Sequence, residues 1–186
     1  MVNVVNVHSG AKSVRAYIKE QAALGLDHVK ALIEADRDAI IAMTADVTEA
    51  EADFQPAEAE FSISKAVQHL NLSFERSQAR LRAMTAGKDF VWNGPPARAG
   101  GLPGQPAASF AEARSQFIAG ESELLSILDA ATPGDHLDLL ANHVEFGSMN
   151  WLEWATYSHH VHTHDHVDQI ARLKTEIEDQ RARDSR

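Results

Sequence analysis

Residues 159–166 read "HHVHTHDH", which places five of the chain's ten histidines in one short run. An α-helix advances about 100° per residue. With His162 set at zero, Trp151, Leu152, Ala155, Ile170, Leu173 and Ile177 share one sector, from roughly −20° to +80°. His162 lies in that apolar sector, and so do His166 at roughly +40° and His159 at roughly +60°. His160 and His164 fall on the opposite side with Asp168, and the pattern predicts them in solvent. Two imidazoles at i, i+4 on a buried face stack one above the other and can converge on one ion. Without partners, burying them costs several kcal/mol.

The rest of the chain supplies the helices against which such a face would pack. Leu26, Val29, Leu32, Ile33, Ile40 and Met43 recur at helical intervals, which predicts a first helix over about 24–45. Asp36 breaks that stripe, about 20° from Val29 on the wheel. A shorter helical stretch over 14–23 precedes it. Ile63, Ala66, Val67, Leu70, Phe74, Leu81 and Met84 predict a second helix over 62–86, with Gly87 as its stop. A Gly/Pro-rich stretch, "GKDFVWNGPPARAGGLPGQPAASF" (residues 87–110), reads as a long crossover that can also cover a site. The third helix spans 110–130, with Ser109 as N-cap and Glu112 three residues on. "TPGD" breaks the chain, and "HLDLLANHV" (136–144) reads as a short helical piece. The fourth helix opens at the Asn150/Glu153 cap and runs unbroken to about Arg181. Four long helices predict an all-α fold, a four-helix bundle with one long crossover between helices 2 and 3. The 186 residues suit a single domain over 1–186, with 1–12 as a tail.

Composition narrows the chemistry. The formal charge of −10 argues against nucleic acid as a partner, because a duplex-binding face must be basic. There is no cysteine, so disulfides, a Cys nucleophile and thiolate metal sites are excluded. The N-terminus lacks the charged and apolar segments of a signal peptide, and no apolar run approaches the roughly 20 residues that span a bilayer. A soluble cytoplasmic protein is the expectation.

A catalytic zinc site takes three protein ligands and keeps a further position open. The third ligand should come from another helix. His28, His69, His136, His143 and Asp36 are the candidates, and periodicity does not choose among them.

Two stretches carry a family resemblance. "FSISKAVQHL" (61–70) resembles the second-helix signature of the DinB/YfiT-like proteins. "EFGSMNWLEWATYSHHVHTHDHVDQIARL" (145–173) is similar to their C-terminal signature, an aromatic lead-in followed by H-x-x-x-H-x-x-Q-I. Here that final element is His162, His166, Gln169 and Ile170. The resemblance implies an up-down-down-up four-helix bundle. It also implies a divalent metal, commonly zinc or nickel, held by His69, His162 and His166, with water completing the shell. Members include metal-dependent hydrolases and transferases of low-molecular-weight thiols such as bacillithiol or mycothiol, and a thiol-dependent isomerase. Members are often dimers. Two features depart from the pattern: Phe61 stands where the family usually has Trp, and His159, His160 and His164 are additional.

The implied reading is a metal-dependent hydrolase or thiol transferase acting on a small molecule. An open position on a three-His ion lowers the pKa of bound water or activates a thiolate. His159 is the catalytic candidate, as a general base, a group behind the ligands or a fourth ligand. Ser158, Ser73, Asp165 and Asp36 are further candidates to assist or to orient an imidazole, and Trp92 is a candidate for the mouth. The competing reading is a non-catalytic bundle whose metal or polar core is structural, and ligand count separates the two. A ferritin-like di-iron site fails, because Ala66, His159 and Thr163 stand where Glu-x-x-His would need Glu.

Overall fold

The computed structural model describes residues 10–57, 60–88, 109–131 and 138–185. The Gly/Pro-rich stretch from 89 to 108, with Trp92, and residues 132–137, with His136, lie outside them.

The described chain is mostly helical. Helix α1 (Ala11–Ala23) ends at Gly25, whose φ of 96° is a left-handed value that glycine adopts without strain. Helix α2 (Leu26–Met43) follows, and then the single turn α3 (Glu49–Ala52), opened by a Thr48/Glu51 capping box. Helix α4 (Ile63–Thr85) is capped by Ser62, whose hydroxyl accepts from the Lys65 N–H, and stops at Gly87 with φ 68°. Helix α5 (Phe110–Ala130) has Ser109 as N-cap, as its sequence predicts. Glu49 adds a carboxylate there, accepting from the N–H groups of Phe110 and Ala111 at 2.7 and 3.0 Å.

One expectation fails, and another holds with a change of winding. Within "HLDLLANHV", residues Ala141–His143 form a strand, β1, paired antiparallel with β2 (Gly147–Met149). The turn between them needs the left-handed Gly147 (φ 69°) and is held by the His143 ring. Three-residue strands are too short to display alternation in the sequence. The fourth helix is also not uniform. It comprises α6 (Trp151–Ala155), a π-helical turn over Thr156–Val161, and α7 (His162–Asp184).

The long helices pack in a ring of contacts: α2 touches α5 and α7, and α4 touches α5 and α7. Their apolar faces form two clusters. One holds Val14, Ile18, Ile33, Leu81, Leu128 and Trp151, the other Ile40, Leu70, Phe117, Ile170 and Leu173. Each long helix changes cluster across a buried polar residue. Asp36 lies between Ile33 and Ile40, Ser77 and Gln78 between Phe74 and Leu81, and Glu121 between Phe117 and Leu124. On the last helix Thr163 and His166 do the same between Val161 and Ile170, with His159 and His160 buried just before Val161. A polar layer therefore divides the core, and the histidine run enters it. Among the described residues no helix is long and apolar enough to cross a membrane.

Candidate metal centre

Helices α4 and α7 bring His69, His162 and His166 together, with one ligand-capable atom of each within 4.8 Å of the others. His69 Nε2 and His162 Nε2 stand 3.0 Å apart. Two nitrogens each about 2.0–2.1 Å from one tetrahedral or octahedral ion lie roughly 2.9–3.4 Å from each other, so the spacing fits. The rings meet at steep angles: 82° between His69 and His162, 73° between His162 and His166. Their edges therefore converge instead of stacking. His166 Nδ1–H donates to Gln169 Oε1 at 2.9 Å, which leaves His166 Nε2 with its lone pair free. The Phe61 ring lies parallel to His166 (4°, centroids 6.3 Å apart) and tilted against His69, walling the site on that side.

The electrostatics favour neutral imidazoles, the form that ligates. Burial pushes His69 below the ordinary histidine value. Burial, and then the neighbouring His166 and His69, push His162 well below it. Burial and His69 take His166 down to about 4. Three bases held uncharged in one place suit a cation.

A DinB superfamily model matches residues 32–170, which include all three of these histidines. The chain belongs to the DinB superfamily. No curated protein matches it.

The other candidates of this DinB-superfamily chain separate cleanly. His28 bonds Gln21 at 2.8 Å. His143 Nδ1 accepts the N–H groups of Glu145 and Phe146, and its ring packs on Phe146 and Tyr157. Ser158 is taken up in a bridge, its hydroxyl donating to the Trp154 carbonyl and accepting from Ser77. Trp154 lies under the Arg80 guanidinium, 3.7 Å from the ring centroid, so it faces α4.

His159 is fully buried against Phe74, with ring centroids 4.6 Å apart. Its charge bears on His162, so it lies near the three-His group without joining it. His159 Nδ1 stands 3.9 Å from Glu121 Oε1, too far for a hydrogen bond. Both nitrogens of His159, both oxygens of Glu121 and the Thr163 hydroxyl have no hydrogen-bond partner among the described residues. Burial pushes the Glu121 carboxyl up, against the pull of His159.

His160 and His164 contradict the wheel. His160 is buried and His164 half-buried, and their Nδ1–H groups donate to the two Asp36 oxygens at 2.6 and 2.7 Å. The Tyr17 hydroxyl meets His160 Nε2 at 2.8 Å. Helix α2 covers that flank of α7 with a carboxylate instead of an apolar side chain, so a hydropathy stripe takes the covered flank for solvent. Burial pushes Asp36 up, but the bonds and charges of His160 and His164 outweigh it and hold the carboxyl low. Asp36 in turn raises His164. Sequence reasoning flagged Asp36 by its place in the stripe, but it did not find Tyr17 or Glu121.

Proposed function

We propose that this chain is a metal-dependent enzyme of the DinB superfamily, a hydrolase or a low-molecular-weight-thiol transferase, with zinc or nickel held by His69, His162 and His166. The helix contacts support the family's up-down-down-up bundle as its frame. The observation that carries the proposal is ligand count. Three imidazoles converge, and among the described residues no fourth histidine or carboxylate joins the group. A structural ion wants a closed shell of four, whereas three donors leave a position for a reactant.

A divalent ion there supplies Lewis acidity to an incoming water or thiol. The protein's own residues do the rest. Gln169 fixes the His166 tautomer, and Phe61 restricts water on one side. His159, adjacent but not a ligand, takes the proton released by the nucleophile. Its unbonded nitrogens keep it free to act as the general base.

The test is zinc and nickel content by elemental mass spectrometry, beside a His162→Ala/His166→Ala double substitution. Loss of one equivalent in the variant is expected. Screens with activated esters and with thiol-transfer substrates should then give a turnover that His159→Gln lowers about 10²–10⁴-fold, as loss of a general base does, with metal content unchanged. A stoichiometry indifferent to the double substitution overturns the proposal.

A further inference from the structure

We propose that Asp36, His160 and His164 form a second divalent-metal site, on the flank of α7 that faces α2. One ligand-capable atom from each lies within 4.8 Å of the others. Two imidazoles one turn apart on a helix, with a carboxylate from a neighbouring helix, make a nitrogen–oxygen set suited to zinc, cobalt(II), manganese or iron(II). The set is distinct from the three-His centre. On the helix wheel His164 lies roughly 200° from His162, so the π-helical turn and α7 together present one pair of imidazoles to α4 and another to α2.

Three observations make this more than a cluster. First, the site is assembled before any ion arrives. Both Nδ1–H groups donate to the Asp36 carboxylate, at 2.6 and 2.7 Å, so the donors already point at one another. An ion takes the place of those two protons. Each imidazole then releases its proton or carries it on Nε2. Second, His160 has the partner that a ligating imidazole needs on its other nitrogen. The Tyr17 hydroxyl sits 2.8 Å from His160 Nε2 and can accept from Nε2–H once Nδ1 ligates. Third, the surroundings favour a cation that can enter. The charges of Asp165 and Asp168 reach His164, and Glu20 bears on Tyr17. The His164 side chain is 23% exposed, which gives an ion a path from solvent while Asp36 and His160 stay buried.

The probe is cobalt(II) alone, titrated into the chelator-stripped full chain. Calorimetry and the visible cobalt bands follow binding, elemental analysis gives stoichiometry, and circular dichroism checks the fold. Wild type is expected to take two equivalents. His69→Ala/His166→Ala takes one, His164→Ala takes one, and the triple variant takes none. Asp36→Asn, a near-isosteric change, weakens one of the two equivalents at least tenfold and leaves the other in place. The proposal is overturned if His69→Ala/His166→Ala takes up no cobalt. It is also overturned if the one equivalent that variant binds survives the addition of His164→Ala. Failure of the three-His centre looks different: His69→Ala/His166→Ala then changes nothing, while His164→Ala still removes an ion.

Discussion

Replacing Asp36 with alanine tests the polar network independently of any metal, provided the chain is kept in chelator. The carboxylate accepts two Nδ1–H bonds, a buried one from His160 at 2.6 Å and a partly buried one from His164 at 2.7 Å. Hydrogen bonds to a charged group contribute about 1.5–3 kcal/mol each. Removing the acceptor leaves two donors, one of them buried with His160, facing an apolar methyl. Loss of one partner from a buried charged set costs about 3–5 kcal/mol. His164 is half-exposed and can turn to water, which puts the expected loss near the lower end, about 3 kcal/mol at pH 6. For a chain of this size that is a fall in Tm of roughly 6–12 °C. The pH dependence follows from the two shifts. Asp36 is held low, so its contribution is present above the ordinary carboxylate value and is lost as pH falls through its folded value. His164 is raised, so its contribution is full below about 6.5 and fades as pH rises through its folded value. The penalty of Asp36→Ala should therefore peak between about pH 4 and 6.5 and shrink on either side. Urea unfolding across pH 4–9 measures it, and a cycle with His164→Ala should give a coupling of at least about 1 kcal/mol. A penalty below about 1 kcal/mol at pH 6, or one that grows above pH 7, refutes the network as described.

Three further substitutions have defined outcomes. Gln169→Leu removes the acceptor that fixes the His166 tautomer and should weaken binding at the three-His centre about 10–100-fold, read by competition with a chelating dye. Glu121→Leu replaces an unpartnered buried carboxyl with an apolar side chain of similar size and should stabilise the fold by about 1–3 kcal/mol near pH 7. Because burial raises Glu121, the folded state holds its proton longer and loses stability as pH rises above the carboxylate range, so the gain in urea midpoint should be larger at pH 8 than at pH 5. His143→Ala strips the turn of an acceptor for two backbone N–H groups and should cost about 1–3 kcal/mol. Burial and then the Arg80 charge hold His143 down at about 4. Its contribution is thus full above about 6.5 and is lost towards pH 4, and the His143→Ala penalty measured by thermal unfolding should shrink over that window.

The sequence carries its helices well where apolar spacing and caps agree. Ser109 and Asn150 cap the helices that their positions predict, and Gly87 ends the helix over Ile63–Thr85. His162 and His166 were legible because two imidazoles inside an apolar stripe are anomalous. His69 was not separable from His28 by spacing alone, since both flank their stripes, and the family signature made the choice. Polar residues that bury one another escape a hydropathy stripe altogether, which is why His160 and His164 read as solvated. Glu121 carried the same signal as Asp36, since it lies four residues after Phe117 and three before Leu124 on the buried face of α5. The π-helical turn has no comparable local mark. It is a choice of hydrogen-bond partner within a helix, and composition does not encode that choice.

The energetic placement of these groups bears on what they are for. A core of this kind can be closed with aliphatic side chains, and replacing buried polar sets with apolar ones is commonly neutral or stabilising. This core instead interposes Asp36, Glu121, His159, His160 and Thr163 between two apolar clusters. Asp36 and His160 are bonded; Glu121, His159 and Thr163 are not, and each unsatisfied buried polar group costs about 1–3 kcal/mol. The π-helical turn carries His159 and His160 and leads directly into the pair His162 and His166, and such turns recur at functional sites. Stability alone does not account for an arrangement that lowers stability at several adjacent positions. A layer that holds neutral imidazoles beside an unbonded histidine and a carboxyl fits the metal-assisted chemistry proposed above. That cost falls on the helix that carries both pairs of histidines.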